Sequence, residues 1–255
     1  IFIFGLIIGS FVGLCAYRIP RGKTIVLGFS YCDFCEMPLT WQEKFPLLGF
    51  IILKGKSRCC GHRIRLVYPF LELCTAASFL AAYYFAPGIG YFLYSIVFLG
   101  FLPVGALIDL EHRLLPNRLT FTGIIAALLF SFFGDVTSME NMLLGLLVCS
   151  GYLLTGNAIS KHLFQKPQAL GGGDIKFAAM IGAFLGLELG ILAILSACVV
   201  AAFFGSFKLL TNKSFRKRRE LPFGPFLALG ALIALMVGNR ILDWYLSGNM
   251  LMAIK

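Results

Sequence analysis

Apolar runs of about twenty residues follow one another along most of this chain, and they leave few folds open to it. A helix that crosses a bilayer needs roughly 20 mainly apolar residues. Eight stretches meet or approach that length: 1–17, 66–85, 89–110, 115–133, 139–160, 174–187, 189–210 and 221–246. The first is short and begins without Met or a basic residue, which suggests a trimmed N-terminus; the sixth is short and rich in glycine. The runs are continuous rather than alternating every second residue, which argues against a β-barrel. Of the 255 residues, 59% are hydrophobic and 13% charged, against about 45–50% apolar and about 25% charged in ordinary soluble domains. A water-soluble fold of this size could not bury so much apolar surface, and 26 phenylalanines exclude a disordered chain. The expected fold is an all-α integral membrane protein with about eight transmembrane helices.

A net charge of +10 suits either nucleic acid or a membrane, and the positions of the basic residues decide between them. Twenty of the 22 Lys and Arg residues fall in 18–65, in the turn holding Arg113 and Arg118, in 161–176 and in 208–219. With eight spans these four segments face one side. The opposite turns hold Asp135, Glu140 and Glu188 and no Lys or Arg. Basic loops collect on the cytoplasmic side, so that side is cytoplasmic and both termini face out. The partner of the charge is therefore the lipid bilayer, and no nucleic acid is expected. Residues 18–65 form the one long water-exposed segment, with turn signals at Pro20-Arg21-Gly22, Pro38 and Lys54-Gly55. This gives two regions: 1–65, the first span with a small cytoplasmic insert containing cysteines, and 66–255, the remaining spans.

Ionisable groups inside spans are costly and mark function by default. Asp109 ends the third run and Asp174 opens the sixth. An even number of crossings between them puts both carboxyl groups at the same, cytoplasmic border. Asp109 lies near a helix C-terminus, where the macrodipole disfavours negative charge, and Asp174 follows Gly171-Gly172-Gly173 at a helix start, where it favours one. Two close carboxyl groups share a proton. One then activates a water while the other polarises a peptide carbonyl, as in aspartic proteases. Glu111 is two residues from Asp109 and points to another helix face; Glu72 reads as a packing residue in the second run.

The segment Ile108-Asp109-Leu110-Glu111-His112-Arg113-Leu114-Leu115-Pro116-Asn117-Arg118-Leu119-Thr120 resembles the first aspartate motif of type IV prepilin leader peptidases. Gly171-Gly172-Gly173-Asp174-Ile175-Lys176 is similar to their G-x-G-D-x-K motif, and Leu221-Pro222-Phe223-Gly224-Pro225-Phe226 to the opening of their last helix. Gly9-Ser10-Phe11, Tyr17-Arg18-Ile19-Pro20-Arg21-Gly22, Tyr68-Pro69 and Glu72-Leu73 resemble the family's N-terminal part. The resemblance implies an inner-membrane enzyme that cleaves the basic leader from type IV prepilin or pseudopilin precursors at the cytoplasmic face. Asp109 and Asp174 stand at its catalytic positions, and proteolysis needs no metal. It also implies N-methylation of the new N-terminus from S-adenosylmethionine, an activity associated with the N-terminal region.

The glycines at 171 and 173 let backbone approach a bound peptide, which places Gly171, Gly173, Lys176, Pro222 and Gly224 at the substrate site. Pro222 and Pro225 remove N–H donors at the helix start, and non-helical backbone at that depth must line a wet cavity. So basic a protein does not attract a basic leader, so recognition falls to the hydrophobic pilin helix and to acids such as Asp33, Glu36, Glu43 or Glu111. By resemblance to an acidic position in the family, Glu43 is the methylation residue.

Cys32-x2-Cys35 lies on the reducing side of the membrane, where structural disulfides are disfavoured. The family pattern carries two such pairs, a zinc signature, whereas here Ser57 stands where the third Cys would be. Cys32, Cys35 and Cys60 match the pattern. Cys59 or His62 could complete the shell, although adjacent cysteines make strained joint ligands. Cys15, Cys74, Cys149 and Cys198 lie in apolar runs and read as small core residues. The rival readings are a G-x-G-D peptidase acting on another membrane helix without methylase activity, a proton-coupled transporter with acids near the midplane, and a structural scaffold.

Overall fold

A computed structural model describes residues 1–24, 31–32, 34–133, 136–164, 171–211 and 221–253. Asp33, proposed above for leader recognition, and the basic stretch 212–220 lie outside the described residues. Within them the elements are α1 (Phe2–Arg18), α2 (Trp41–Lys44), α3 (Leu48–Ile52), α4 (Val67–Phe85), α5 (Ile89–His112), α6 (Asn117–Phe133), α7 (Met139–Phe164), α8 (Gly172–Thr211) and α9 (Gly224–Ala253). The only strand-like pairings among the described residues are two isolated bridges. Ile89–His112, Met139–His162, Gly172–Thr211 and Gly224–Ser247 are long and apolar enough to cross a membrane, and α1 and α6 are shorter apolar helices. Residues Ile1–Val104 form one compact unit and Gly105–Lys255 another, divided inside α5.

In the N-terminal unit α1 and α4 run antiparallel, held close by a small-residue stripe. A β-carbon added at Gly5 would lie 2.6 Å from the Ala76 Cα, and one at Gly9 would lie 2.6 Å from the Glu72 Cα. At Gly13 the neighbour is the Tyr68 ring, 3.2 Å away. Glycines four residues apart thus remove the side chains that would hold the backbones apart, the usual device for helix association in lipid. The chain between these helices makes two similar turns. The bridge Tyr31↔Pro38 closes one and Lys56↔Arg63 closes the other. In the first, Cys32 N–H donates to the Met37 carbonyl (2.9 Å) and Glu36 N–H to the Cys32 carbonyl (3.0 Å). In the second, Ser57 N–H donates to the His62 carbonyl (2.7 Å) and Gly61 N–H to the Ser57 carbonyl (2.8 Å).

In the C-terminal unit the 40-residue α8 governs the architecture. Straight, it would extend about 60 Å, twice the roughly 30 Å hydrocarbon core. It does not run straight: Gly186 has φ 75 and ψ −169, a conformation essentially confined to glycine. A β-carbon on Gly190 would lie 3.3 Å from the Gly182 Cα, although eight residues of straight helix span about 12 Å. The chain therefore doubles back at Gly186, beside the break between the sixth and seventh apolar runs. Helix α7 crosses the first arm where Gly145 and Gly182 meet, each so close that a side chain would run into the other's carbonyl oxygen. Helix α9 lies against the second arm, with Gly230 on Ala193 and Ala197.

The reversal frees backbone groups, and Asn141 of α7 takes up one of them: its Oδ1 accepts the Leu187 N–H at 2.9 Å. This is a helix cap supplied from a neighbouring helix. Caps of this kind contribute about 1 kcal/mol. Asn141→Ala is expected to lower thermal stability in detergent by about that amount, while Asn141→Asp, which keeps the acceptor, remains close to wild type.

Candidate active site

Asp109 lies one turn before the end of α5 and is 6% exposed. Its Oδ2 accepts the Gly224 N–H at 2.8 Å. Gly224 is the first residue of α9, so the carboxyl group faces free N–H groups and the positive end of a helix dipole. Arg113, one turn on, adds a positive charge to its surroundings. The field at Asp109 is therefore not only that of its own helix C-terminus, as sequence position alone suggests. Asp174 is the third residue of α8 and is clasped to Gly171: the Asp174 N–H donates to the Gly171 carbonyl (3.1 Å), and the Gly171 N–H donates to the Asp174 Oδ2 (3.3 Å).

Three observations bring these helix ends together. A β-carbon on Gly105 of α5 would touch the Phe177 ring of α8 at 2.6 Å, and one on Gly173 would lie 2.9 Å from the Leu115 Cβ. Between those two contacts, Asp174 feels the charge of Asp109. The end of α5, which carries Asp109, thus lies beside the start of α8, which carries Asp174. The Lys176 Nζ donates to the Asn117 Oδ1 at 2.7 Å, tying the start of α8 to the start of α6. Gly171 is exposed, Gly173 packs on Leu115, Pro222 is half-buried just ahead of α9, and Gly224 touches Asp109. Asn117 and Leu115 lie inside the first aspartate motif but carried no assigned role. Their part emerges only once α6 and α8 are seen side by side. Glu111 sits 4.0 Å from His112 Nε2.

The cysteines form a second centre in the N-terminal unit. The sulfurs of Cys32, Cys35, Cys59 and Cys60 all lie within 4.8 Å of one another. Zinc bound at about 2.3 Å to each sulfur sets tetrahedral sulfurs about 3.8 Å apart. Cys32 and Cys60, at 3.7 Å, meet that spacing, and Cys35 and Cys59, at 2.8 Å, need to part by about 1 Å. The donor set fits a structural zinc. Cys59, not His62, is the fourth member, for the His62 ring stacks on Phe34 with centroids 3.3 Å apart. The Ser57 Oγ lies 3.4 Å from the Cys32 sulfur and 3.0 Å from the Cys59 sulfur. Its hydrogen bond brings the Cys32 thiol down to about 6, while the Cys59 sulfur pushes the Cys35 thiol up to about 12. Cys32 is thus the member of the cluster poised to supply a thiolate to a metal.

Glu43 belongs to this centre. Its Oε2 accepts from the Thr40 N–H (2.7 Å) and Oγ (2.8 Å), and its Oε1 accepts from the Arg58 N–H (3.3 Å), the residue before Cys59. Burial opposes its charge, but these hydrogen bonds and the Arg58 guanidinium outweigh it and hold the carboxyl below the ordinary range. Glu43 clasps the short α2 to the second cysteine turn.

Residues 3–86 match the Bacterial Peptidase A24 N-terminal domain, and residues 96–206 match the Type IV leader peptidase family. The chain is 36% identical to the prepilin leader peptidase/N-methyltransferase of Bacillus subtilis, over 96% of both chains. It is 37% identical to the protein of that name from Klebsiella pneumoniae, over 74% of this chain and 85% of the relative. To that of Aeromonas hydrophila it is 31% identical, over 97% of this chain and 93% of the relative. No solved structure matches the chain. With family matches on both halves and relatives aligned along nearly its whole length, the chain belongs to the type IV leader peptidase family.

Proposed function

We propose that this protein removes the leader from type IV prepilin or pseudopilin precursors and then methylates the exposed amino group. The observation that carries the peptidase half is that the helix ends bearing Asp109 and Asp174 adjoin where α5 packs on α8 and Asp109 accepts the Gly224 N–H of α9. One carboxylate takes a proton from water, whose oxygen attacks the scissile carbonyl carbon. The other, protonated, hydrogen-bonds the carbonyl oxygen and stabilises the charge that grows there. As the tetrahedral intermediate collapses, the leaving nitrogen receives the proton and the peptide bond is broken. The Gly224 N–H fixes the Asp109 carboxyl during these exchanges, and the Lys176–Asn117 bond fixes the start of α8. Exposed backbone at Gly171 offers partners to an extended substrate.

Eight membrane passes are supported by the reversal of α8 at Gly186, which turns one long apolar helix into two arms. The 17-residue α1 and α6 reach the lower end of the spanning range. Placing the dyad at the cytoplasmic face of the inner membrane follows from the basic loops. S-adenosylmethionine supplies the methyl group, and the N-terminal unit, with Glu43 and the cysteines, is its place.

Purified protein in proteoliposomes should shorten a prepilin by its leader and incorporate labelled methyl from S-adenosylmethionine into the product. An unshortened prepilin removes the peptidase reading. For the metal, elemental analysis should find about one zinc per chain. Replacing Cys32 or Cys59 by Ser should bring it near zero, while Ser57→Ala leaves it in place. Metal-free wild type would overturn the zinc assignment.

A further inference from the structure

The N-terminal unit holds an open cleft of about 1280 Å³ between α1, α4 and the cysteine-bearing segment. Ligand sites commonly occupy about 300–1,000 Å³, so the space accommodates a nucleoside-sized molecule together with the end of a peptide. Its wall joins three kinds of group. Tyr68 offers an aromatic ring, Arg63 a guanidinium, and Glu36, Glu43 and Glu72 carboxylates, while the Tyr17 ring carries Arg21 at 3.9 Å. A methyl donor of the sulfonium class asks for that mixture: a π-face or carboxylate near the sulfonium cation, a planar surface for the base, an acid for the ammonium and a guanidinium for the carboxylate.

The three carboxylates are not equivalent. Glu36 is exposed in a turn. Both oxygens of Glu43 are engaged by the loop it clasps. Glu72 is 8% exposed and reaches the cavity from the middle of a helix pair. Its Oε2 accepts the Leu47 N–H at 2.8 Å, and the Ser10 hydroxyl also bonds to it. Leu47 has φ 59 and ψ −47, a sparsely populated conformation for a residue with a side chain. Such strain persists only where surroundings impose it, and it clusters at functional sites. Gly9 lies against the Glu72 Cα, so the carboxylate is held from α1, from α4 and from the loop at 47.

We infer that this cavity is the methyl-donor site and that Glu72 receives the proton of the acceptor amine. The inference rests on the methyltransferase half of the reading above. An N-terminal ammonium has no lone pair and must lose a proton before reacting. Glu72 takes that proton, the nitrogen lone pair forms the N–C bond to the methyl carbon, and the C–S electron pair departs onto sulfur. The products are an N-methylammonium, which now carries the positive charge the sulfonium has lost, and a neutral thioether, and the proton on Glu72 returns to solvent.

The test uses the full chain in detergent. Ultraviolet crosslinking of methyl-labelled S-adenosylmethionine, followed by peptide mapping, should place the label within residues 7–72. Calorimetry with S-adenosylhomocysteine should give the same Kd, within about threefold, for wild type and Glu72→Gln, since Gln keeps an acceptor for the Leu47 N–H. Methyl incorporation by that variant should fall at least about 10²-fold, the usual worth of a positioned base, and Glu72→Asp should recover part of it. Label mapping outside 7–72 overturns the site, and this holds whether or not any variant folds. Methylation at the wild-type rate by Glu72→Gln, or loss of its S-adenosylhomocysteine binding, overturns the proton-acceptor role. A wild type that neither binds donor nor transfers methyl overturns the methyltransferase reading itself.

Discussion

Replacing Asp109 or Asp174 by Asn is expected to lower prepilin cleavage by on the order of 10⁴-fold, as loss of one member of a catalytic unit does. Each Asn keeps the volume and one acceptor oxygen, so the Gly224 N–H retains a partner at 109 and the Gly171 N–H retains one at 174. What disappears is the ability to pass a proton to and from water. Melting temperature should move little, and methylation of a pre-cleaved peptide should persist. If the two carboxyl groups act as one proton-sharing unit, as proposed, the double variant should be hardly slower than either single one. Additive losses, each multiplying the other, would mean that the acids work separately and the dyad is wrong. A cleavage rate within tenfold of wild type for either variant would remove that residue from the chemistry.

The helical fold was legible from hydropathy because lipid imposes a one-dimensional rule: each crossing needs its own apolar run. The break near residue 188 was visible as a run boundary, but its cause was not. That cause is one glycine with a positive φ, capped by Asn141 from another helix. The Gly5, Gly9 and Gly13 stripe was readable in principle from its four-residue spacing. Its partner, the Ala76–Glu72–Tyr68 face of α4, was not, for no local pattern announces which helix comes near.

At the site, the aspartates stood out because acids are rare in apolar runs. The Gly224 contact was hidden, since it joins residues separated by 115 positions. The Lys176–Asn117 bond was hidden in the same way, since it joins residues separated by 59 positions. Cys59 shows geometry deciding what spacing left open. Paired turns deliver adjacent cysteines to the same four-sulfur group, while His62 is occupied with Phe34.

Gly224→Ala carries the second large expected effect, and its comparison with Gly171→Ala separates two uses of glycine at one site. Neither position has a positive φ, so alanine is conformationally acceptable at both. At 224 the new β-carbon would lie 2.8 Å from both the Cβ and the Oδ2 of Asp109. Either the start of α9 must retreat or the carboxyl must turn, and both lengthen the N–H bond that orients it. Misplacing a catalytic group by about 1 Å costs on the order of 10²-fold in rate, so kcat should fall by about that factor with KM little changed. Overpacking of this kind also destabilises by about 1–3 kcal/mol, visible as a lower melting temperature. At 171 the added carbon meets the Asp174 Oδ2 at 3.4 Å and the Gly173 nitrogen at 4.0 Å, both ordinary contacts. If the backbone there receives an extended substrate, Gly171→Ala should raise KM and leave both kcat and stability near wild type. Equal losses of kcat in the two variants would show that both glycines serve packing against the aspartates, and the peptide-binding role of Gly171 would then be lost.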